Sequence, residues 1–349
     1  MSEQPMERAI RLARGFRPHP NPRVGAVVVD PAGRVVGEGA HELPGLPHAE
    51  VIALAGAGSL AAGSTMYVTL EPCNHTGRTG PCVSVIVNAN VEKVVVGTLD
   101  PDQQVSGEGI AALRAAGIEV EVDGSSPGLK DLDPGYFHHR TTGRPRFTLK
   151  SALTLDGQVA AHDGTAQWIT GEEARLDGHR LRAESDAVLV GAGTVFADDP
   201  RLDVRLPGYS GPQPRPVVLT GRRTLPEAAQ VLSRNALVVG TGETEQPGDL
   251  LIVPSDANGR PDIVRVAAAL GEAGLVDVMI EGGPAVAGSL WRAGLVDRGV
   301  WYIASRIAGG SGRTVLAGRF ETLADARTVE IIEVRKVGAD LRVEFVMEG

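Results

Sequence analysis

The segments GLPHAEVIAL (45–54) and TLEPCNHTGRTGPC (69–82) decide the fold of the first half of the chain. His48 and Cys82 each open a helix-like stretch, and Cys73 directly follows the strand-like MYVTLEP (66–72). One imidazole and two thiolates in this order supply three ligands for zinc. The two segments therefore predict a sheet whose neighbouring helices bring a metal site together.

Short apolar strands alternate with helices as far as residue 122, beginning with a β-hairpin. The predicted helices cover residues 5–14, 48–57, 82–89 and 107–117, and the predicted strands cover 24–30, 34–39, 66–72, 93–99 and 118–122. A hairpin followed by strand-helix units gives a mixed sheet covered by helices. Residues 124–145 mix Gly, Ser, Pro and charge without sustained periodicity, which predicts a domain boundary there.

A second α/β domain is predicted beyond this boundary. Its strands are expected at 146–153, 187–190, 217–220, 237–240, 250–253, 276–281, 300–303 and 342–347, and its helices at 171–183, 262–273 and 285–293. A chain of 349 residues exceeds the size at which one hydrophobic core usually stops growing. The prediction is two tandem α/β domains, residues 1–145 and 146–349, with no internal repeat.

Composition narrows the class of protein. Apolar residues make up 42% and charged residues 22% of the chain, as in globular proteins. The net charge of −9 disfavours a nucleic-acid partner, because such proteins carry a basic face for phosphates. No apolar run approaches the roughly 20 residues of a membrane span, and charges interrupt the N-terminus where a signal peptide is apolar. We expect a cytoplasmic protein, in which two nearby cysteines indicate metal or redox chemistry.

Three zinc ligands leave the fourth position to water, as in catalytic zinc sites. Zinc lowers the pKa of that water from 15.7 to roughly 7, and Glu50, two residues after His48, is placed to move its proton to a leaving amine. The alternative is a structural site with His75 as fourth ligand, which would leave Glu50 without a purpose. The His-x-Glu and Pro-Cys elements match zinc nucleobase deaminases, but eight residues separate the cysteines instead of two.

Three segments resemble the deaminase half of the bifunctional riboflavin-biosynthesis deaminase/reductase family, whose second cysteine follows such an insertion. They are HPNPRVGAVVVD (19–30), GEGAHELPGLPHAEV (37–51) and YVTLEPCNHTGRTGPC (67–82). The resemblance implies a cytidine-deaminase-like zinc domain with Glu50 as a catalytic residue. It further implies that zinc is held by His48, Cys73 and Cys82, and that the pyrimidine lies at Asn21 and His75.

The second half resembles the reductase half of the same family, in the family's order. The similar segments are PRFTLKSALTLDGQVA (145–160), QWITGEEAR (167–175), LRAESDAVLVGAGTVFADDPRLDVR (181–205) and VMIEGGPAVAGSLWRAGLVD (278–297). The resemblance implies a dihydrofolate-reductase-like fold that uses NADPH. The residues it places at NADPH are Ala152, Trp168, Thr194, Asp198, Gly283, Pro284, Ala285, Val286, Ala287, Gly288 and Ser289. Those it places at the substrate are Arg182, Leu202, Arg205 and Glu281, with the arginines as partners of a phosphate.

Lys150 lies in an apolar strand near Asp156, and the family carries a lysine at this place. An amine that reaches solvent is the ordinary interpretation. With only four lysines in the chain, we favour a catalytic role, either orienting the substrate or stabilising developing charge. Ala166 departs from the Ser that family members often carry before Gln-Trp, which predicts one missing or replaced substrate contact.

Several other patterns lead to weaker expectations. Gly282, Gly283 and Gly288 form a strand-to-helix turn that could receive phosphate, although spacing alone favours an ordinary turn. The GAGTVF segment (191–196) lacks the last glycine of a dinucleotide fingerprint, which excludes a Rossmann site of that type. Two arginines in a predicted turn, Arg222 and Arg223, are the candidates for binding the 2′-phosphate of NADPH. Four histidines are interpreted as surface or loop residues: His19, His41, His138 and His139.

The predicted function is bifunctional. The first domain removes an amino group by hydrolysis from 2,5-diamino-6-(ribosylamino)pyrimidinone 5′-phosphate, and the second reduces the ribosyl group to ribityl with NADPH. The alternatives are a nucleobase or nucleic-acid deaminase, and a binding module with structural zinc and a degenerate nucleotide-sensing second domain. Charge and the 4% aromatic content disfavour the first, and Glu50, Lys150 and Asp198 disfavour the second. The expected partner is a small molecule, with neither nucleic acid nor membrane, in a possible homo-oligomer.

Overall fold

A computed structural model describes residues 3–75, 80–102, 105–318 and 321–347. The chain forms two compact units, Met1–Thr142 and Gly143–Gly349. Within the described ranges, no helix is both long and apolar enough to cross a bilayer. Each unit contains its own sheet.

The first unit has a mixed sheet, as the sequence predicts. Its helices are α1 Pro5–Arg14, α2 Ala49–Ala57, α3 Cys82–Asn88, α4 Glu108–Ala115 and α5 Pro134–Thr142, and its strands are β1 Gly25–Val29, β2 Val35–Ala40, β3 Thr65–Leu70, β4 Lys93–Thr98 and β5 Glu119–Val122. The strand order is β2-β1-β3-β4-β5. The β1 strand is antiparallel to β2 and β3, whereas β3, β4 and β5 are parallel.

Two glycines in β2 let α2 lie directly on the sheet. A Cβ at Gly37 would fall 2.0 Å from a backbone oxygen of α2, and a Cβ at Gly39 would fall 2.3 Å from another. Any larger residue would therefore push the helix away. Because α2 begins with His48 as its N-cap and carries Glu50 in its first turn, this close approach fixes both residues against the sheet.

The predicted boundary segment contains a helix, α5, that the absence of periodicity did not predict. Asp133 precedes it, and its carboxylate accepts the backbone N–H of Tyr136 at 3.2 Å. The same carboxylate lies 2.9 Å from His19 Nε2 and accepts the backbone N–H of Arg23 at 2.9 Å. Asp133 therefore joins α5 to the loop that carries Asn21, and α5 belongs to the first unit.

The second unit is built on a large, mostly parallel sheet. Its helices are α6 Glu172–Ala183, α7 Ala192–Asp198, α8 Ile263–Glu272 and α9 Pro284–Arg292, and its strands are β6 Arg146–Thr154, β7 Gln158–Ala160, β8 Ala187–Gly191, β9 Arg215–Leu219, β10 Leu237–Gly240, β11 Asp249–Ile252, β12 Asp277–Ile280, β13 Arg298–Ala304, β14 Arg313–Thr314, β15 Val329–Val337 and β16 Asp340–Met347. The nine-stranded order is β11-β10-β9-β8-β12-β6-β13-β16-β15, and β7 pairs with β14 separately.

Apolar side chains cover both faces of this sheet, as expected where parallel strands carry helices on either side. Phe147 and Leu189 belong to one buried cluster, while Val188 and Met279 belong to another. The strand β6 lies between β12 and β13, so Lys150 sits in the middle of the sheet, opposite Val300. The sequence did not predict β7, β14, the edge strand β15 or α7.

Candidate active sites

The three predicted zinc ligands of the first unit lie together. His48 Nδ1 is 3.1 Å from Cys82 Sγ and 3.6 Å from Cys73 Sγ, and the three ligand atoms lie within 4.8 Å of one another. Tetrahedral zinc with bonds of about 2.0–2.3 Å requires ligand atoms roughly 3.5–3.8 Å apart. The donor set therefore fits zinc, with His48 binding through Nδ1.

The cysteines are held by the loop between β3 and α3. The backbone N–H of Cys82 donates to Cys73 Sγ at 3.4 Å. Hydrogen bonding from Cys82, together with the neighbouring His48, lowers the pKa of the Cys73 thiol. A thiolate is the form that binds metal, so Cys73 is prepared for it.

Among the described residues, the metal-ligand group of the first unit consists of His48, Cys73 and Cys82 and does not include His75. His75 is exposed and lines the neighbouring cavity. The structural-zinc alternative, which needs His75 as a fourth protein ligand, is thus not supported. A fourth position left for water agrees with a catalytic site.

Glu50 is only 3% exposed, yet it borders the same cavity of about 390 Å³ as His48 and Cys73. Burial raises its pKa above the ordinary value of a glutamate. A carboxyl group whose protonated form is favoured by burial can both accept a proton and deliver it, as general acid-base catalysis requires.

His41 is a site residue that the sequence analysis missed. It lies in a loop, as predicted, but not at the surface. It is 3% exposed, lines the cavity and packs edge-on against His48, with ring centres 5.1 Å apart. Burial lowers its pKa, so Nδ1–H donates to the Pro47 carbonyl at 3.2 Å and Nε2 accepts from Asn21 Nδ2 at 3.0 Å. This bond orients the Asn21 amide, whose Oδ1 can then accept from a ligand.

His19 also lies in a loop, as predicted, whereas the interpretation of His138 and His139 is wrong. The His19 side chain is 2% exposed and pairs with Asp133. His138 and His139 lie in helix α5 and are half-buried, not in a loop. Their partial burial follows from α5 being part of the first unit, which no local sequence pattern indicates.

A second buried carboxylate, Glu71, organises the cavity wall. One of its oxygens accepts the backbone N–H groups of Gly109 and Ile110, at 2.9 and 3.2 Å, and the other accepts that of Gly107 at 2.9 Å. Glu71 therefore caps the N-terminus of α4 from the end of β3. A Cβ at Gly109 would lie 1.9 Å from the carbonyl oxygen of Pro72, so α4 sits tightly against the cysteine loop.

In the second unit, Lys150, Arg182 and Glu281 form a half-buried charged group. Arg182 Nε and Nη2 donate to the two Glu281 oxygens at 2.5 and 2.8 Å, and Nη1 donates to the Asp203 carbonyl at 2.9 Å. Desolvation opposes the charge on Glu281, but Arg182 and Lys150 outweigh it and lower its pKa to about 2. Burial lowers the pKa of Lys150, and Glu281 partly restores it.

Aromatic and helical neighbours fix the position of Lys150. Its Nζ lies 5.9 Å from the centre of the Tyr302 ring, and Tyr302 donates its hydroxyl to Asp177 at 2.7 Å. Gly178 of α6 lies beside the Lys150 side chain, where a Cβ would be 3.5 Å from Cε. Asp156, expected near Lys150, instead accepts the backbone N–H groups of Ala308 and Gly309 at 3.0 and 2.8 Å.

The predicted substrate residues of the second unit differ in exposure. Arg205 is 57% exposed and pairs with Asp203 at 3.0 Å, and its backbone N–H donates to His179 Nδ1 at 3.3 Å. Burial and the charges of Arg182 and Arg205 lower the pKa of His179 to about 4. Leu202 is 3% exposed and belongs to the core, so a substrate could meet only its backbone.

A cavity of about 640 Å³ lies along α9, from its first turn to its C-cap, and its size suits a nucleotide cofactor. Gly283 is the N-cap of α9, and nothing lies within 4 Å of where its Cβ would be. An open helix N-terminus beside such a cavity fits the phosphates of NADPH. Of the predicted NADPH residues, Ala285, Val286 and Ser289 line this cavity.

The remaining NADPH candidates have other surroundings. Pro284, Ala287 and Gly288 lie in α9 itself, and a Cβ at Gly288 would fall 2.1 Å from the Ala317 oxygen. Thr194 and Asp198 lie in α7, and Ala152 lies in β6. The Trp168 ring is 64% exposed, with the Arg175 guanidinium 4.4 Å from its centre. Ala166 is exposed.

The arginine pair expected at the 2′-phosphate does not line the cavity. The Arg223 guanidinium stacks 3.7 Å from the centre of the Phe196 ring. Arg222 lies beside the turn at Gly259, where a Cβ would be 3.1 Å from its Nη2. The arginines that line the cavity are Arg260 and Arg292, both invisible as candidates from sequence.

A cluster of three residues that could hold zinc beside a buried glutamate, followed by a parallel-sheet unit with a cavity of nucleotide size and a half-buried lysine, is the arrangement expected of a fused zinc deaminase and reductase. The family described as "RibD C-terminal domain" matches residues 145–343, and that described as "Cytidine and deoxycytidylate deaminase zinc-binding region" matches residues 1–98. The chain belongs to the RibD family of riboflavin biosynthesis.

Full-length relatives support this assignment. The chain is 41% identical over 333 residues to the riboflavin biosynthesis protein RibD of Mycobacterium tuberculosis, covering 94% of this chain and 91% of the relative. It is 39% identical to RibD of Escherichia coli, covering 98% of each. Among solved structures, Acinetobacter baumannii RibD matches with a TM-score of 0.89 at 35% identity over 98% of both chains.

The Thermotoga maritima diaminohydroxyphosphoribosylaminopyrimidine deaminase/5-amino-6-(5-phosphoribosylamino)uracil reductase matches with a TM-score of 0.87 at 35% identity, covering 99% of this chain and 98% of that one. The predicted family, fold class and bifunctional activity are confirmed. The chain is a bifunctional hydrolase and oxidoreductase with a zinc-binding deaminase domain and an NADPH-dependent reductase domain.

Proposed function

We propose that Glu50 is the proton carrier of the deaminase and that its substrate is 2,5-diamino-6-(ribosylamino)pyrimidinone 5′-phosphate. The observation that carries the proposal is the position of Glu50, buried in the cavity that it shares with His48 and Cys73. The reductase domain then converts the ribosyl group of the deaminated product into ribityl.

In the deaminase, His48, Cys73 and Cys82 would hold zinc, which would lower the pKa of the attacking water. Glu50 accepts a proton from that water and delivers it to the leaving amino group, so that ammonia leaves and a carbonyl remains on the pyrimidine. Asn21, oriented by His41, accepts a hydrogen bond from the ring substituents, and His75, which lines the same cavity, contacts the pyrimidine.

In the reductase, bound NADPH would supply the electron pair that reduces C1′ of the ribosyl group. The ring oxygen released from C1′ gains a proton to become a hydroxyl. Lys150, held between Tyr302 and Glu281, orients this end of the substrate and stabilises the negative charge that develops on the oxygen. Arg182 and Arg205 bind the phosphate through N–H groups not engaged by Glu281 and Asp203.

The cavity beside α9 supports a further assignment, in which Arg260 pairs with the 2′-phosphate of NADPH. Its exposed side chain lines the cavity, whereas Arg223 is stacked on Phe196. Arg292 lines the same cavity but donates Nη1 to the Ala317 carbonyl at 2.5 Å. Arg260 therefore replaces the Arg222 and Arg223 pair as the candidate.

Other finer assignments rest on composition and exposure. The protein acts in the cytoplasm on a small molecule, without a nucleic-acid partner, in keeping with its net charge of −9. It assembles as a homo-oligomer, which the exposed apolar side chains of the edge strand β15 favour: Ile331, Ile332 and Val334 are 50–60% exposed. Light scattering of the purified protein tests the assembly.

The experiment that tests the deaminase assignment is Glu50→Gln in the full chain. The amide preserves shape but cannot carry the proton, so ammonia release should fall by about 10²–10⁴-fold while bound zinc is retained. Reduction of supplied deaminated substrate should continue, which controls for folding. Ammonia release near the wild-type rate would show that another group carries the proton.

A further inference from the structure

Helix α5, which lies where the sequence predicted a linker, forms part of the deaminase cavity. Tyr136 and Arg140 from this helix line the cavity together with His48 and Glu50. These lining residues differ in exposure, since Glu50 is 3% exposed whereas the Arg140 side chain is 33% exposed. A substrate whose pyrimidine reaches the buried Glu50 leaves its ribosyl phosphate for the more exposed part of the wall, to which Arg140 belongs.

The position of Arg140 is set by a fixed aromatic ring. Its guanidinium carbon lies 5.1 Å from the centre of the Tyr136 ring. Tyr136 is 4% exposed, and its hydroxyl donates to both carboxylate oxygens of Asp100 at 3.2 Å. Stacking covers one face of the guanidinium and leaves its N–H groups directed outward from its edge. The pairing with Asp102, at 4.0 Å, is too long for a hydrogen bond.

The charges around the cavity require a cation for an anionic substrate. Four carboxylates line it, from Glu50, Glu71, Asp100 and Asp102. Apart from histidines, Arg140 is the one basic side chain among the described lining residues. The N-terminus of α4 is not available to a phosphate, because the Glu71 carboxylate already accepts its N–H groups.

We propose that Arg140 binds the phosphate of the deaminase substrate and makes the deaminase selective for the phosphorylated ribosylaminopyrimidine. This inference rests on the proposed deaminase function. A planar guanidinium offers two parallel N–H donors to phosphate, and one such charge-assisted contact corresponds to about 10- to 100-fold in binding.

The test compares full-length wild type, Arg140→Ala and Arg140→Lys on the phosphorylated substrate and on its dephosphorylated form, with ammonia release as the readout. Arg140→Ala should raise KM for the phosphorylated substrate about 10- to 100-fold with kcat nearly unchanged, because the reacting atoms lie at the zinc end. Its kcat/KM for the dephosphorylated form should equal that of wild type. Arg140→Lys should recover part of the selectivity.

Two controls separate this contact from a folding effect. Arg114→Ala changes an exposed arginine of α4 that does not line the cavity, and it should leave both substrates unaffected. Reductase activity of each sample reports that the chain is intact. Inorganic phosphate should inhibit wild-type deamination competitively and inhibit Arg140→Ala much less.

Equal losses of kcat/KM for both substrates in Arg140→Ala, or an unchanged KM with the phosphorylated substrate, would overturn the inference while leaving the deaminase assignment intact. Undiminished ammonia release by Glu50→Gln would instead overturn the assigned deaminase mechanism. Phosphate inhibition that is equal in wild type and Arg140→Ala would also contradict the inference, whatever the stability of the variant.

Discussion

Arg182 and Glu281 hold each other in a two-point ion pair, with Nε and Nη2 of the guanidinium 2.5 and 2.8 Å from the two carboxylate oxygens. Their side chains are only 14% and 12% exposed, so the pair is weakly screened by solvent. Sequence similarity places both residues at the substrate but does not show that they bind each other. The two charges of the pair act in opposite directions on the pKa of Lys150: Glu281 raises it and Arg182 lowers it.

The first prediction is that Glu281→Gln lowers the pKa of Lys150. Burial already lowers that pKa below the value of a free lysine, and the negative charge of Glu281 opposes the decrease. Removing the charge leaves Lys150 facing Arg182 alone, and two like charges disfavour the ammonium. If the ammonium is the active form, the alkaline limb of the reductase kcat/KM profile moves to lower pH.

The pKa can be measured directly, because the chain has only Lys93, Lys130, Lys150 and Lys336. Carbon-13 labelling of lysine gives four ε-carbon signals, and Lys150→Arg assigns the relevant one. Glu272→Gln, at an exposed position near the end of α8, is the matched control and should leave the signal unchanged. A Lys150 pKa that stays the same or rises in Glu281→Gln would contradict the prediction.

The second prediction is that Cys82→Ser loses zinc. Cys82 is fully buried, and its Sγ lies 3.1 Å from His48 Nδ1, so its loss leaves two of the three ligands. A hydroxyl is a poor substitute for a thiolate. Metal analysis should show substoichiometric zinc. Assays should detect no ammonia release, while reductase activity persists. Full zinc occupancy in this variant would remove Cys82 from the ligand set.

The third prediction concerns cofactor choice. Arg260→Ala should lower kcat/KM for NADPH about 10- to 100-fold through the lost charge-assisted hydrogen bonds, and should leave kcat/KM for NADH nearly unchanged. Arg223→Ala is the matched control, because this guanidinium stacks on Phe196 outside the cavity. An NADPH preference that survives in Arg260→Ala but disappears in Arg223→Ala would restore the assignment made from sequence.

Much of the fold is predictable because its strands are short apolar runs and its helices have clear ends. Helix α1 occupies the predicted 5–14, and β10 the predicted 237–240. Strand β15 is not predicted because it is an edge strand exposed over most of its length, so its sequence does not alternate between apolar and polar residues. Helix α7 is a single short segment after β8, where a pattern of Gly and Ala resembles a turn.

The grouping of His48, Cys73 and Cys82 is predictable for a different reason, since metal chemistry restricts residue type and order together. The roles of His41 and Arg140 depend on tertiary contacts instead. Each residue belongs to the site only because a neighbour fixes it, Asn21 in one case and the Tyr136 ring in the other. No local pattern in the sequence records such a pairing.

The last prediction is that the domains fold and act separately, and that the boundary lies before Gly143 and not after Pro145. Arg144 donates two hydrogen bonds to the Asp297 carboxylate, at 2.8 Å each, with both side chains 19% exposed. A Cβ at Gly271 would lie 2.2 Å from the Gly143 oxygen, so this segment packs closely on α8. Residues 143–145 therefore belong structurally to the second unit.

A fragment of residues 143–349 should reduce the deaminated substrate. Its free energy of unfolding, measured in urea, should exceed that of 146–349 by about 1–3 kcal/mol, because Asp297 keeps its charged partner. Arg144→Ala in the longer fragment should reproduce most of the loss, which assigns it to the ion pair and not to chain length. Residues 1–142 should bind zinc and release ammonia. Insoluble or metal-free fragments that regain activity only on co-expression would show that neither unit is complete on its own. Equal stability of the two reductase fragments would show that Arg144 does not mark the boundary.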